Sequence, residues 1–89
     1  MNILKLSDGR EIPVTFCGAA LGYLQIRLAE KTTVAEAAVL FDNPDAVRSL
    51  TFLYGDNQHA EYEGYTELQS VRIDPQDGAC EVQLRRHGQ

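Results

Sequence analysis

The sequence has no tryptophan, one methionine and two cysteines. Cys17 and Cys80 allow a single bridge at most, which excludes a scaffold held by many disulfides. Cations are scarce too: 8 Lys and Arg stand against 13 Asp and Glu, a formal net charge of −5. That excludes non-specific nucleic-acid binding as the first expectation, because such binding needs a cationic surplus against phosphate. No apolar run approaches the roughly 20 residues that cross a bilayer as a helix. Asp8, Arg10 and Glu11 stand where a secretory signal would need an apolar stretch. Free thiols in a reducing cytosol are therefore expected.

At 44 % hydrophobic residues, the chain is too apolar for disorder throughout. Its 89 residues predict a single domain over 1–89. A core this small barely offsets chain entropy, and self-association is one common remedy.

Apolar residues alternate and are punctuated by turn residues. Residues 3–6 and 12–17 flank Ser7, Asp8, Gly9 and Arg10, a hairpin cue. A widened loop sets Leu6 opposite Ile12 and Leu4 opposite Val14. Pro13 has no N–H, which predicts a strand lying partly on an edge. Residues 17–22 read as a Gly/Ala-rich turn. Leu24, Ile26 and Leu28 then alternate with polar neighbours as a half-buried strand, facing Phe16, Val14 and Ile12.

The pattern changes at Thr33. With Glu36 it fits a capping box, and Ala35, Ala37 and Ala38 favour helix. Val34, Ala37, Ala38 and Phe41 share one face. Pro44 ends the helix near Asp42, and residues 44–47 suit one further short turn. Residues 48–54 and 58–65 form the clearest hairpin. The loop of Gly55, Asp56 and Asn57 pairs Tyr54 with Gln58, Phe52 with Ala60 and Leu50 with Tyr62. Asn57 takes the left-handed position. Gly64 permits a bend, with residues 65–68 continuing the strand. Val71 and Ile73 then face Val82 and Cys80 across a turn containing Pro75 and Gly78. Residues 85–89 read as a polar tail. The expected fold is α+β and mostly antiparallel: a bent sheet or small open barrel of about 6–7 strands, with one short α-helix near 33–42.

His59, Glu61 and Glu63 repeat on one strand face, with Asp56 nearby. They suit either a cation or an ordinary wet surface. Three ligands along one strand spread over roughly 13 Å, too far for one ion without bending. Cys80 lies at an inward position, where cysteine behaves as a small hydrophobe. Cys17, at an expected strand end, is the better nucleophile candidate, but no electropositive neighbour is fixed near it. Gly18 and Gly22 lack the Lys-Ser/Thr of a phosphate loop. No catalytic, cofactor-binding or metal-binding set is therefore assigned, and no enzyme is expected. Tyr54, Tyr62, Tyr65 and Tyr23 remain. They are either core tyrosines with wet hydroxyls or a protein-contact patch.

Leu53-Tyr54-Gly55-Asp56 and Tyr62-Glu63-Gly64-Tyr65-Thr66-Glu67-Leu68 resemble small uncharacterised proteins encoded near tail genes in prophages of Gram-positive gut bacteria. Residues 6–12, and Asp77-Gly78 with Val82, Leu84 and Arg85, fit the same pattern. The resemblance implies a virion-associated or tail-assembly role and transfers no functional residue. The expected function is thus that of a non-enzymatic structural or interaction protein. It would be cytoplasmic or carried in a phage particle, and would act through sheet edges and a tyrosine-bearing face. Its partners would be copies of itself or tail components, with no nucleic acid, membrane or cofactor. The alternative is a small acidic module that covers a basic protein target.

Overall fold

The computed structural model describes residues 2–86. Along the chain run β1 (Asn2–Lys5), β2 (Glu11–Ala20), β3 (Tyr23–Leu28), α1 (Val34–Phe41) and α2 (Pro44–Val47). There follow β4 (Ser49–Tyr54), β5 (Gln58–Glu63), β6 (Glu67–Ile73) and β7 (Cys80–Arg85). The strands form one 7-stranded sheet in the order β5-β4-β1-β2-β3-β7-β6. Every neighbouring pair is antiparallel. The α+β, mostly antiparallel architecture expected from the sequence is the one adopted, as an open sheet.

Connectivity forces that sheet to curl. Following the register across it, β5 lies level with the first half of β2, and β6 with the second half. Laid flat, the two edge strands would occupy opposite corners. Residues 64–66 alone join them, and the four steps from Glu63 to Glu67 reach at most about 14 Å. The sheet therefore coils until its two edges approach at a seam, without pairing there.

The inner face holds the core. Leu4, Leu24, Ile26, Leu50, Val82 and Leu84 are shut off from water, together with Phe41 from α1. Each such side chain contributes about 1.5–3 kcal/mol by leaving water. Among the described residues no polar or charged side chain joins this core. Helix α1 has only 8 residues, too few to persist alone. It is held by Ala37 and Phe41 and packs against β6 and β7. The capping box forms: Glu36 N–H donates to Thr33 Oγ1 (3.1 Å), and Thr33 N–H donates to Glu36 Oε1 (3.0 Å). The backbone N–H of Thr33 holds the Glu36 carboxyl below its ordinary range. The short turn after Pro44 is a second helix, capped by Asn43, whose Oδ1 accepts from Asp45 N–H. Ser7 ties it to the first hairpin, donating N–H to the Ala46 carbonyl (2.9 Å) and its hydroxyl to that of Asp45.

Several expectations need correction. The first hairpin closes more tightly: Leu6 N–H donates to the Arg10 carbonyl (2.8 Å), so Leu4 faces Ile12 and Asn2 faces Val14. Gly9, at φ +96°, makes the shorter loop possible. Asp8 braces it by accepting from both the backbone and the guanidinium of Arg10. The shift is two residues, so the buried face is preserved.

The supposed turn at 17–22 is strand as far as Ala20. The reversal uses only Leu21 and Gly22, both at positive φ (56° and 83°). A bulge between Val14 and Phe16 inverts the alternation midway along β2. Phe16 consequently faces outward, 51 % exposed, and Cys17 takes the inward position opposite Ile26. Nor is β2 an edge strand: it lies between β1 and β3. Pro13 is tolerated because bonded pairs alternate along a ladder. Leu6–Arg10 is bonded, so Pro13 opposite Ile3 is not, and its missing N–H points toward β3. That strand ends at Leu28, opposite Val14.

Residues 65–68 do not prolong β5. Gly64, at φ +85°, turns the chain, and Leu68 belongs to β6 at the opposite edge. The polar tail begins later than expected, since Arg85 is paired in β7 with Tyr23 and Glu67. His87 and the last two residues lie outside the described part. The β4–β5 register and the Val71–Val82 and Ile73–Cys80 pairs match expectation.

Candidate functional site

Among the described residues, strand β5 pairs with β4 on one side and with no strand on the other. Gly64 N–H donates to the Arg48 carbonyl (3.1 Å), which fixes the phase of the ladder. Even-numbered residues of β5 bond to β4, so the amides and carbonyls of His59, Glu61 and Glu63 point away from the sheet. The side chains of the same three residues stand exposed on the outer face. Beside this edge, at the seam, lies a recess of about 470 Å³ lined by Glu61, Tyr62, Glu63, Tyr65 and Arg86.

Two of the four tyrosines build that recess. Tyr62 and Tyr65 meet edge to face, with ring centroids 6.3 Å apart. The Arg86 guanidinium lies 5.9 Å from the centre of the Tyr65 ring, within reach of a cation–π attraction. Burial raises the hydroxyl pKa of Tyr62, with Cys17, Tyr54 and Tyr65 adding to the effect. Tyr54 stacks on Phe52 at 5.1 Å and packs half-buried against the core. Tyr65 is buried. Tyr23 lies on β3 with outward parity, opposite Arg85. The four therefore do not make one exposed patch: three belong to the inner face and seam, and the fourth lies elsewhere.

The His59, Glu61 and Glu63 side chains share a face, as their spacing requires. Among the described residues no group of three or more His, Cys, Asp or Glu is disposed to hold a metal ion. Both cysteines are buried and free. Desolvation pushes the Cys17 thiol up to about 12. It raises that of Cys80 as well, with help from the charge of Glu81. Thiols held neutral in this way are poor nucleophiles.

Sequence reasoning missed the charged lattice on the outer face of the other half. Arg27 on β3 reaches three carboxylates. Nη1 donates to Asp74 Oδ2 (3.1 Å) and Glu81 Oε2 (2.7 Å), and Nη2 pairs with Asp77. Asp74 and Asp77 belong to the β6–β7 turn, so Arg27 stitches that turn to β3. Glu81 Oε1 also lies 2.7 Å from Arg72 Nη2, an ion pair whose angles fall outside hydrogen-bond geometry. Asp74 sits below its ordinary carboxyl range because it accepts from Gln76 N–H and then from Arg27. A trough of about 280 Å³ runs beside these charges, between Phe16, Gln25, Ser70 and Gln83. No local signal marks the lattice, because turn-forming aspartates look the same with or without a distant arginine. No protein-family model, curated protein or solved structure matches the chain.

Proposed function

We propose that this chain is a non-enzymatic interaction protein that works through its bare β5 edge and the tyrosine-walled seam beside it. The observation that carries the reading is the row of outward backbone groups at His59, Glu61 and Glu63, with no strand beside them among the described residues. Such an edge is a template for another strand. The residues expected to form a contact surface enter this reading as recess walls, Tyr62 and Tyr65, rather than as a flat patch.

The resemblance to prophage tail-region proteins supports a part in tail assembly, made in the cytoplasm and carried into the particle. Assemblies of that kind grow by repeated contacts between small folded subunits. The test is binding, by light scattering and chromatography, to itself and to the proteins encoded beside its gene. A concentration-dependent complex lost on altering β5 supports the proposal. A strict monomer that binds none of them overturns it. A second reading, an acidic module that covers a basic target, is favoured by Glu61 and Glu63 standing on the edge itself. Binding indifferent to salt would remove it.

A further inference from the structure

We propose that the β5 edge takes an extended segment of a different protein, in which cationic residues alternate with apolar ones. The inference rests on the interaction reading above and names the partner's chemistry. A strand added to β5 would bond to the backbone of His59, Glu61 and Glu63. Its side chains would then fall alternately on the two faces. Those on the outer face stand across from Glu61 and Glu63, where opposite charges attract. Neither glutamate is ion-paired among the described residues, so both carboxylates are open to an incoming cation.

The residues between them point toward the inner side, over the recess that Tyr62 and Tyr65 line together with Glu61, Glu63 and Arg86. Arg86 lies over Tyr65 at its wall. A cation there would be opposed by Arg86 even beside the glutamates, whereas an aliphatic or aromatic side chain would meet the two tyrosine rings without that repulsion. The pattern that fits is thus cation, apolar, cation. A second copy of this chain fits poorly. Antiparallel pairing of β5 with itself about Glu61, the middle of its three outward-bonding residues, sets Glu61 against Glu61 of the other copy. The net charge of −5 adds to that repulsion.

The test uses the whole chain, isotope-labelled, with a short synthetic peptide alternating Lys and Val around a central Phe. One control peptide carries Glu for Lys; a second keeps every side chain but is N-methylated at the backbone of its Lys residues, which would bond to β5, and should not bind. The Lys peptide should shift the amide signals of His59, Glu61 and Glu63 and the ring signals of Tyr62 and Tyr65. It should bind roughly tenfold more tightly than the Glu peptide at low salt, an advantage that shrinks as salt rises. Glu61→Lys with Glu63→Lys should reverse the preference, and Glu61→Gln with Glu63→Gln should abolish it. His59→Pro removes one outward N–H, spares the ladder to β4, and should weaken every peptide.

Equal affinity for Lys and Glu peptides, or shifts confined to the trough beside Phe16, would overturn the proposal. If the Glu peptide or a second copy moves the β5 amides instead, the partner chemistry falls and the edge reading survives. If no strand perturbs β5 at all, both fall.

Discussion

At the β6–β7 end of the sheet, Arg27 gathers Asp74, Asp77 and Glu81, and α1 lies against both strands. At the β5 end, His59, Glu61 and Glu63 stand exposed, and a recess opens beside them. Both ends carry carboxylates. In the first, the chain supplies their cation from a strand that is distant in sequence. In the second, among the described residues, no cation pairs with Glu61 or Glu63, although Arg86 lines the same recess. The contrast teaches that charge on a strand is not one kind of feature. Charge neutralised within the fold fastens elements together, while charge left on an edge repels its own copies and selects what can approach.

The largest expected break falls on the fastened half. Phe41 anchors α1 and is fully buried. Phe41→Ala should cost about 3–5 kcal/mol, read by chemical denaturation, because the helix cannot collapse into the space left behind. A loss below 1 kcal/mol, a small fraction of that range, would mean that α1 does not hold this side of the sheet. Arg27→Met comes next. It leaves three carboxylates crowded without their cation and should lower the melting temperature, whereas Glu61→Gln with Glu63→Gln should leave it unchanged or raise it. Equal effects at the two ends would erase the comparison.

A smaller effect, of opposite sign, is expected at the β2–β3 reversal. Leu21 holds φ 56° while 97 % exposed, a conformation that costs an L-residue with a Cβ roughly 1–2 kcal/mol. Leu21→Asn should therefore stabilise the fold by about 1 kcal/mol, since Asn-Gly is the preferred pair in such a turn. A loss of stability would show that the Leu21 side chain makes contacts of its own.

The mildest test is acid. The Asp74 carboxyl is held below its ordinary value of 3.8, chiefly by Gln76 N–H and then by Arg27. A depressed carboxyl contributes stability that is present above its unfolded value and lost as pH falls through the folded one. The melting temperature should thus decline below about pH 4, and Asp74→Asn should flatten that decline. Glu61→Gln with Glu63→Gln should leave its slope unaltered. An unchanged slope in Asp74→Asn would show that this turn carries none of the acid sensitivity.

Much of the fold is legible locally. Thr33 and Glu36 announce the helix because a capping box is complete within four residues. Gly55 and Asn57 set the register of β4 and β5 because a short loop leaves few ways to pair. Legibility ends where a distant partner decides. The bulge in β2 exposes Phe16 and buries Cys17, and nothing within residues 14–17 announces an extra residue in the ladder. Of the candidate site, the acidic face was visible as a two-residue repeat. The recess was not, since Tyr62, Tyr65 and Arg86 meet only once the sheet has coiled.

The sequence by itself determined the strand-rich antiparallel character, the capped helix and most of the buried face, because alternation, caps and turn chemistry act over a few residues. Tertiary structure alone decided the strand order, the curl that brings the two edges to a seam, and which acidic residues would find an arginine. Those outcomes depend on pairing between segments far apart in the chain, and a local pattern carries no information about which segment will arrive alongside it.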